Sequence, residues 1–120
     1  MKLRSTLWVL LILPTLIFSQ VYVMKVEGTI DMGLAHFFER AIPEKNAEGG
    51  KAIILDIDTF GGRVDAATMM RDALLESDIM TIAFINSRAI SAGSLISLAC
   101  DTIVMRTGAT MGATTVVDGQ

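Results

Sequence analysis

Two short stretches of the 120-residue chain carry residue types that could do chemistry together. Ser91 opens Ser91-Ala92-Gly93-Ser94 just ahead of an apolar helical pattern, and Gly61-Gly62 follows the apolar run Ala52 to Ile57. A serine hydroxyl becomes a nucleophile towards a carbonyl when a base takes its proton. Glycines at a strand end let the backbone turn tightly and leave an N–H unshielded, which suits a donor aimed at an oxyanion. A helix beginning at Ser91 would add its positive N-terminal end, and the small Ala92, Gly93 and Ser94 would let a substrate backbone come close. Both stretches also have plain local readings, a turn for Gly61-Gly62 and an N-cap for Ser91.

The remaining reactive residues read as structural. His36, the sole histidine, lies on the first predicted helix far ahead of Ser91 and is expected on a helix face rather than in a triad or metal site. Asp56 and Asp58 alternate on one face of a predicted strand. With no His or Cys partner nearby they imply a polar strand end, with Asp58 bracing the glycine turn, and no metal. Met69 and Met70 read as core filling, and Cys100 as a small buried hydrophobe. No cofactor is expected.

The elements that must position Ser91 and the glycines follow from periodicity. Val21 to Val26 alternates and is rich in β-branched residues, so a strand is predicted there, closed by Glu27-Gly28. Asp31 is placed to cap a helix carrying Leu34, Phe37, Phe38, Ala41 and Ile42, which should fade around Pro43 and stop by Gly49-Gly50. Ala52 to Ile57 reads as a central parallel strand covered on both faces, ended by Gly61-Gly62. A helix over Val64 to Ser77, a strand over Ile79 to Ile85, a helix from about Ser91 to Cys100 and a short strand over Thr102 to Met105 follow. Gly108 to Thr115 reads as loop or edge strand. Alternating strands and helices imply an α/β fold with a largely parallel sheet and right-handed crossovers. Consecutive strands then deliver Gly61-Gly62 and Ser91 to the carboxyl edge of the sheet, where open α/β sheets place their sites.

At the front, Lys2 and Arg4 precede the apolar run Leu7 to Phe18, which is interrupted by Pro14 and followed by Ser19 and Gln20. That is the pattern of a signal peptide or signal anchor over 1–19, leaving a domain over 21–120 outside the cytoplasm. Ile17 sits where signal peptide cleavage prefers a small residue, so an uncleaved membrane anchor stays open. Without Lys2 and Arg4 the chain keeps eight cations against thirteen acidic residues, a net charge of −5 with no basic run. This disfavours nucleic acid as a partner. A single cysteine excludes an intrachain disulfide framework. The strand pattern running into Val116 to Gln120 without a closing helix gives the expectation of a domain continuing past the last residue.

The stretch from Leu55 to Ala67 (LDIDTFGGRVDAA), followed by a helix, a strand and Ala89-Ile90-Ser91-Ala92-Gly93-Ser94, resembles the ClpP/crotonase superfamily and, within it, the NfeD-like membrane serine proteases. The resemblance covers about Val21 to Gly112. It implies repeated ββα/βαβ units, Ser91 as nucleophile, an oxyanion hole made by the backbone N–H groups of Gly62 and Ala92, and Gly61 as turn support. Phe60 stands where many relatives carry proline. The family's base is a lysine well downstream of the serine, whereas Lys2, Lys25, Lys45 and Lys51 all precede Ser91. The resemblance therefore implies a catalytic lysine beyond Gln120 and little activity in these 120 residues alone. It further implies a Ser–Lys endopeptidase acting on apolar segments of membrane-associated proteins, a stomatin-like partner, membrane association and a homo-oligomer. Two alternatives remain, a non-catalytic membrane-assembly scaffold and a crotonase-type acyl-CoA enzyme. The export leader disfavours the second, because coenzyme A is cytosolic.

Overall fold

The computed structural model describes residues 20–114, so the leader over 1–19 and the last strand-like residues lie outside the described residues. Alternation in the first segment is realised as strand β1, Val21–Ile30. Met24, Val26 and Ile30 are buried, while Val21, Val23 and Lys25 point the other way. The strand runs four residues past the predicted stop. Gly28, at φ +72°, supplies a bulge between Glu27 and Thr29 and lets pairing resume.

Helix α1, Met32–Ala47, starts where Asp31 accepts a hydrogen bond from the Leu34 N–H at 2.9 Å, as the sequence predicts. Ala35, Phe38, Ala41 and Ile42 form its buried stripe. Pro43 lies inside the helix and does not end it. Strand β2, Ala52–Gly62, and helix α2, Val64–Leu75, follow, with Ala66, Ala67, Met70 and Leu74 buried on α2. Strand β3, Met80–Ile90, helix α3, Ala92–Leu98, and the short strands β4, Thr102–Met105, and β5, Thr110–Gly112, complete the described chain.

The sheet is parallel throughout, in the order β1-β2-β3-β4, and the far end of β3 is paired by β5 in place of β4. Strand order equal to chain order, with right-handed crossovers, puts every helix on the same face. The burial pattern agrees. Ile53, Leu55, Ile57 and Thr59 of β2 and Thr81, Ala83 and Ile85 of β3 are buried, and the residues that alternate between them are only half-buried. Coverage of β2 on both faces is therefore not found among the described residues. Val23, Ile54, Ile82, Phe84 and Val104 line a shallow apolar groove on the bare face, with Asp56 beside them.

Candidate active site

Strands β2 and β3 both extend past the apolar runs that announce them, and that extension builds the site. Beyond the Thr59↔Ala89 pair, β2 and β3 no longer pair, and the gap between their ends holds Gly61, Gly62 and Ser91. A Cβ added to Gly61 would lie 2.9 Å from the Ile90 carbonyl oxygen, 3.0 Å from the Ser91 Cβ and 3.2 Å from the Ala92 nitrogen. Gly61 is thus pressed against the serine turn, and its φ of +107° is one that only glycine adopts easily.

The neighbouring glycine is constrained from the other side. A Cβ on Gly62 would fall onto the Ile30 carbonyl oxygen and within 2.6 Å of the Ile30 nitrogen. Ile30 accepts from the N–H of Arg63 at 2.9 Å. Since successive N–H groups of a strand point to opposite edges, the N–H of Gly62 faces away from β1, towards the side of Ser91. Gly61 is buried and Gly62 is exposed.

Ser91 adopts φ 52°, ψ −116°, a strained conformation for a residue with a side chain. Its N–H donates to the Gly112 carbonyl at 2.9 Å, which ties the turn to β5, and its carbonyl accepts from Ser94 and Leu95 at 2.9 and 3.2 Å. The hydroxyl makes no capping bond, so the N-cap reading fails, and the side chain is exposed. A serine on a sharp strand-to-helix turn with an uncommitted hydroxyl is the geometry of a nucleophile elbow. Ala92 is the first residue of α3, so its N–H has no partner within the helix, and no turn or cap bond takes it up among the described residues.

Two assignments change. Asp58 does not brace the glycine turn; it pairs with Arg88 at 3.0 Å. The brace is Thr59, buried on the helix face, whose hydroxyl donates to the Gly28 carbonyl and accepts from the Gly61 N–H at 3.0 Å. Threonine at a strand end gave only a β-propensity signal in the sequence, since its partner Gly28 lies in a bulge 31 residues away. Gly93 and Ser94 are small for packing rather than for substrate: both are buried, and a Cβ on Gly93 would sit 2.5 Å from the Thr59 Cγ2.

The other reactive residues stay apart from this corner. His36 is exposed on α1 and meets Glu39 at 3.1 Å. Cys100 packs at the end of α3 near the Ile96 carbonyl, and burial pushes its thiol up to about 12. No group of His, Cys, Asp and Glu among the described residues could hold a metal ion.

Comparison with known proteins places the chain in a family. The NfeD1b N-terminal domain profile matches residues 20–120. The membrane protein NfeD1b of Bacillus subtilis is 45% identical over 100 residues, covering 83% of this chain and 23% of that protein. The membrane-bound protease PH1510 of Pyrococcus horikoshii is 33% identical over 103 residues, again 83% of this chain and 23% of the relative. The chain thus spans about a quarter of the length of the curated relatives it matches. Among solved structures, the N-terminal domain of the Pyrococcus protein, described as a membrane-bound stomatin-specific protease, superposes with a TM-score of 0.76 at 32% identity in a complex of a lysine-to-alanine mutant with a substrate peptide. That match covers 84% of this chain and 48% of the other. A serine-to-alanine mutant of the same domain gives a TM-score of 0.74, over 79% of this chain and 47% of the other. ClpP1 of Listeria monocytogenes shares the fold, with a TM-score of 0.62 at 22% identity over 65% of this chain and 46% of the other.

Proposed function

Because the chain belongs to the NfeD1b N-terminal domain family, we propose that it supplies the nucleophile and oxyanion hole of a membrane-associated serine endopeptidase. The observation that carries this reading is Ser91 itself: an exposed residue on a strained turn whose hydroxyl makes no capping bond. A scaffold has no use for that strain, and backbone held in such a conformation points to function.

In the proposed reaction a neutral lysine amine takes the Ser91 hydroxyl proton as Oγ attacks the scissile carbonyl. The carbonyl oxygen becomes an oxyanion between the N–H groups of Gly62 and Ala92, and the positive end of α3's first turn faces it. Collapse expels the peptide amine, which leaves with the proton held by the lysine. Water then attacks the Ser91 ester as the lysine amine takes its proton, and collapse breaks the ester bond, with that proton returning to Ser91 Oγ as the acid product departs. The matched relatives are about four times as long as the stretch matched, and we assign the base to a lysine outside these 120 residues. The lysine-to-alanine mutant of the Pyrococcus relative, solved with a substrate peptide, is in keeping with this. The named specificity of that relative makes a stomatin-like membrane protein the first substrate to try, at its apolar segments. We further propose that residues 1–19 form a leader or anchor, that the domain begins at about residue 21 and acts outside the cytoplasm, and that it self-associates.

The test is a serine-directed covalent probe on the intact protein. Wild type should label and turn over peptide, and Ser91→Ala should do neither while keeping its fold. Equal labelling or equal hydrolysis by the two proteins would end the assignment of Ser91.

A further inference from the structure

Phe60, at 72%, is the most exposed large apolar side chain among the described residues. It is nevertheless held in place. The Arg88 guanidinium lies 4.5 Å from the centre of its ring, Arg88 Nε is 3.0 Å from the Asp58 carboxylate, and Arg88 Nη2 donates to the Ser87 hydroxyl at 3.1 Å. Asp58 and Phe60 are two apart on β2 and so share a side, and the Thr59↔Ala89 pairing brings Arg88 alongside both. One ring face is occupied by a cation, and the rest is presented to solvent.

The position of this pair ties it to the reaction. Phe60 immediately precedes Gly61, whose Cα backs onto Ser91, and Arg88 comes three residues before Ser91 on β3. Each of the two strands that carry the proposed catalytic groups thus also carries one partner of the ring–guanidinium stack. An aromatic surface fixed before substrate arrives loses little freedom on binding, which is how a rigid anchor gains affinity. A cation behind the ring disfavours a basic side chain and leaves apolar and aromatic ones as its complement.

We propose that Phe60 is a specificity-determining residue which packs against an apolar, preferably aromatic, substrate side chain flanking the scissile bond, and that Arg88 is the positioning residue that holds it. This rests on the serine endopeptidase reading of the same site. An apolar subsite of this kind discriminates by about tenfold or more.

The experiment uses the intact protein and a mixed peptide library, with cleavage sites read by mass spectrometry. Wild type should favour aromatic and large aliphatic residues at one position next to the cut by about tenfold. Phe60→Ala should flatten that preference, Arg88→Ala should weaken it, and Arg88→Lys should restore part of it by keeping a cation over the ring. An unchanged cleavage profile in Phe60→Ala, alongside a silent Ser91→Ala control, would overturn the subsite and leave the hydrolase standing. A second arm does not need turnover: an aromatic peptide should bind Ser91→Ala about tenfold more tightly than Ser91→Ala with Phe60→Ala. Equal binding would overturn the proposal, and absence of Ser91-dependent cleavage by wild type would instead overturn the function on which it rests.

Discussion

Exchanging each glycine of the Gly61-Gly62 pair for alanine should perturb the domain in two different ways, because the two added methyl groups point at different neighbours. At Gly62 the methyl would occupy the place of the Ile30 carbonyl oxygen, so the end of β1 must move away from β2. That movement gives up the Arg63–Ile30 hydrogen bond and the Ile30↔Gly62 pair, and it opens the fully buried Ile30 to water. One backbone hydrogen bond is worth about 1 kcal/mol net, and exposing a buried isoleucine costs about 1.5–3 kcal/mol. Gly62→Ala should therefore lose about 3 kcal/mol, a large part of the roughly 5–15 kcal/mol that a domain has. In urea this is a midpoint lower by about 1–3 M at ordinary slopes. At Gly61 the methyl meets Ile90, Ser91 and Ala92 at 2.9–3.2 Å and must be accommodated at φ +107°. The strain costs about 1–3 kcal/mol, but the larger effect is displacement of the proposed nucleophile relative to the proposed oxyanion donors, which should cut hydrolysis by the intact protein by about a hundredfold. The assays are urea unfolding followed by circular dichroism and peptide turnover, both on the intact protein. If Gly62→Ala keeps its midpoint, or Gly61→Ala keeps full turnover, the packing described for these glycines is refuted.

Four further outcomes follow from the same geometry. Ser91→Gly should relieve the strain at φ 52° and raise stability by about 1 kcal/mol while abolishing hydrolysis, seen as a higher unfolding midpoint in an inactive protein. Thr59→Val should strand the buried Gly61 N–H, costing about 1–3 kcal/mol in unfolding and lowering turnover with it. Arg63 and the Ala66 N–H hold the Asp65 carboxyl down at about 2, so this group favours the folded state above the ordinary carboxylate range and stops doing so as pH falls through about 2. An NMR titration should find that midpoint and see it rise in Arg63→Ala. A reporter fused after Gln20 should cross the membrane, and one retained in the cytoplasm would count against the leader.

The sequence reveals the order of elements because each strand and helix here has its own period, and the Asp31 cap is legible because capping is local. Strand ends are less legible. β1 passes Gly28 whereas β2 ends at Gly61-Gly62 as expected, since a glycine in a strand can mark a bulge as readily as a stop, and only the neighbouring strand decides. Pro43 does not end α1, whose last turn carries on to Ala47. The one-sided cover of the sheet is hidden for a related reason: Ala52 to Ile57 is apolar at nearly every position, whichever face is packed. Within the site, Ser91 and both glycines stand out by motif, whereas Thr59 and Arg88 act through partners that only the folded ladder brings near. The failure of Ser91 to cap its helix is likewise visible only in its dihedral angles.

The bare side of the sheet governs how the domain behaves in solution. Val23 and Val104 stand 64% and 45% exposed there, next to Ile54, Ile82 and Phe84, with the single charge of Asp56 at the groove. Residues 20–114 handled by themselves should adhere to one another through this side, because covering it removes apolar surface from water. The opposing force is mutual repulsion between acidic molecules, since residues 20–114 carry eight cations against twelve acidic residues, a net charge of −4. Salt screens that repulsion and leaves the apolar attraction intact, so dilute buffer, rather than the high salt used to keep many proteins dispersed, is the condition that holds this one in suspension.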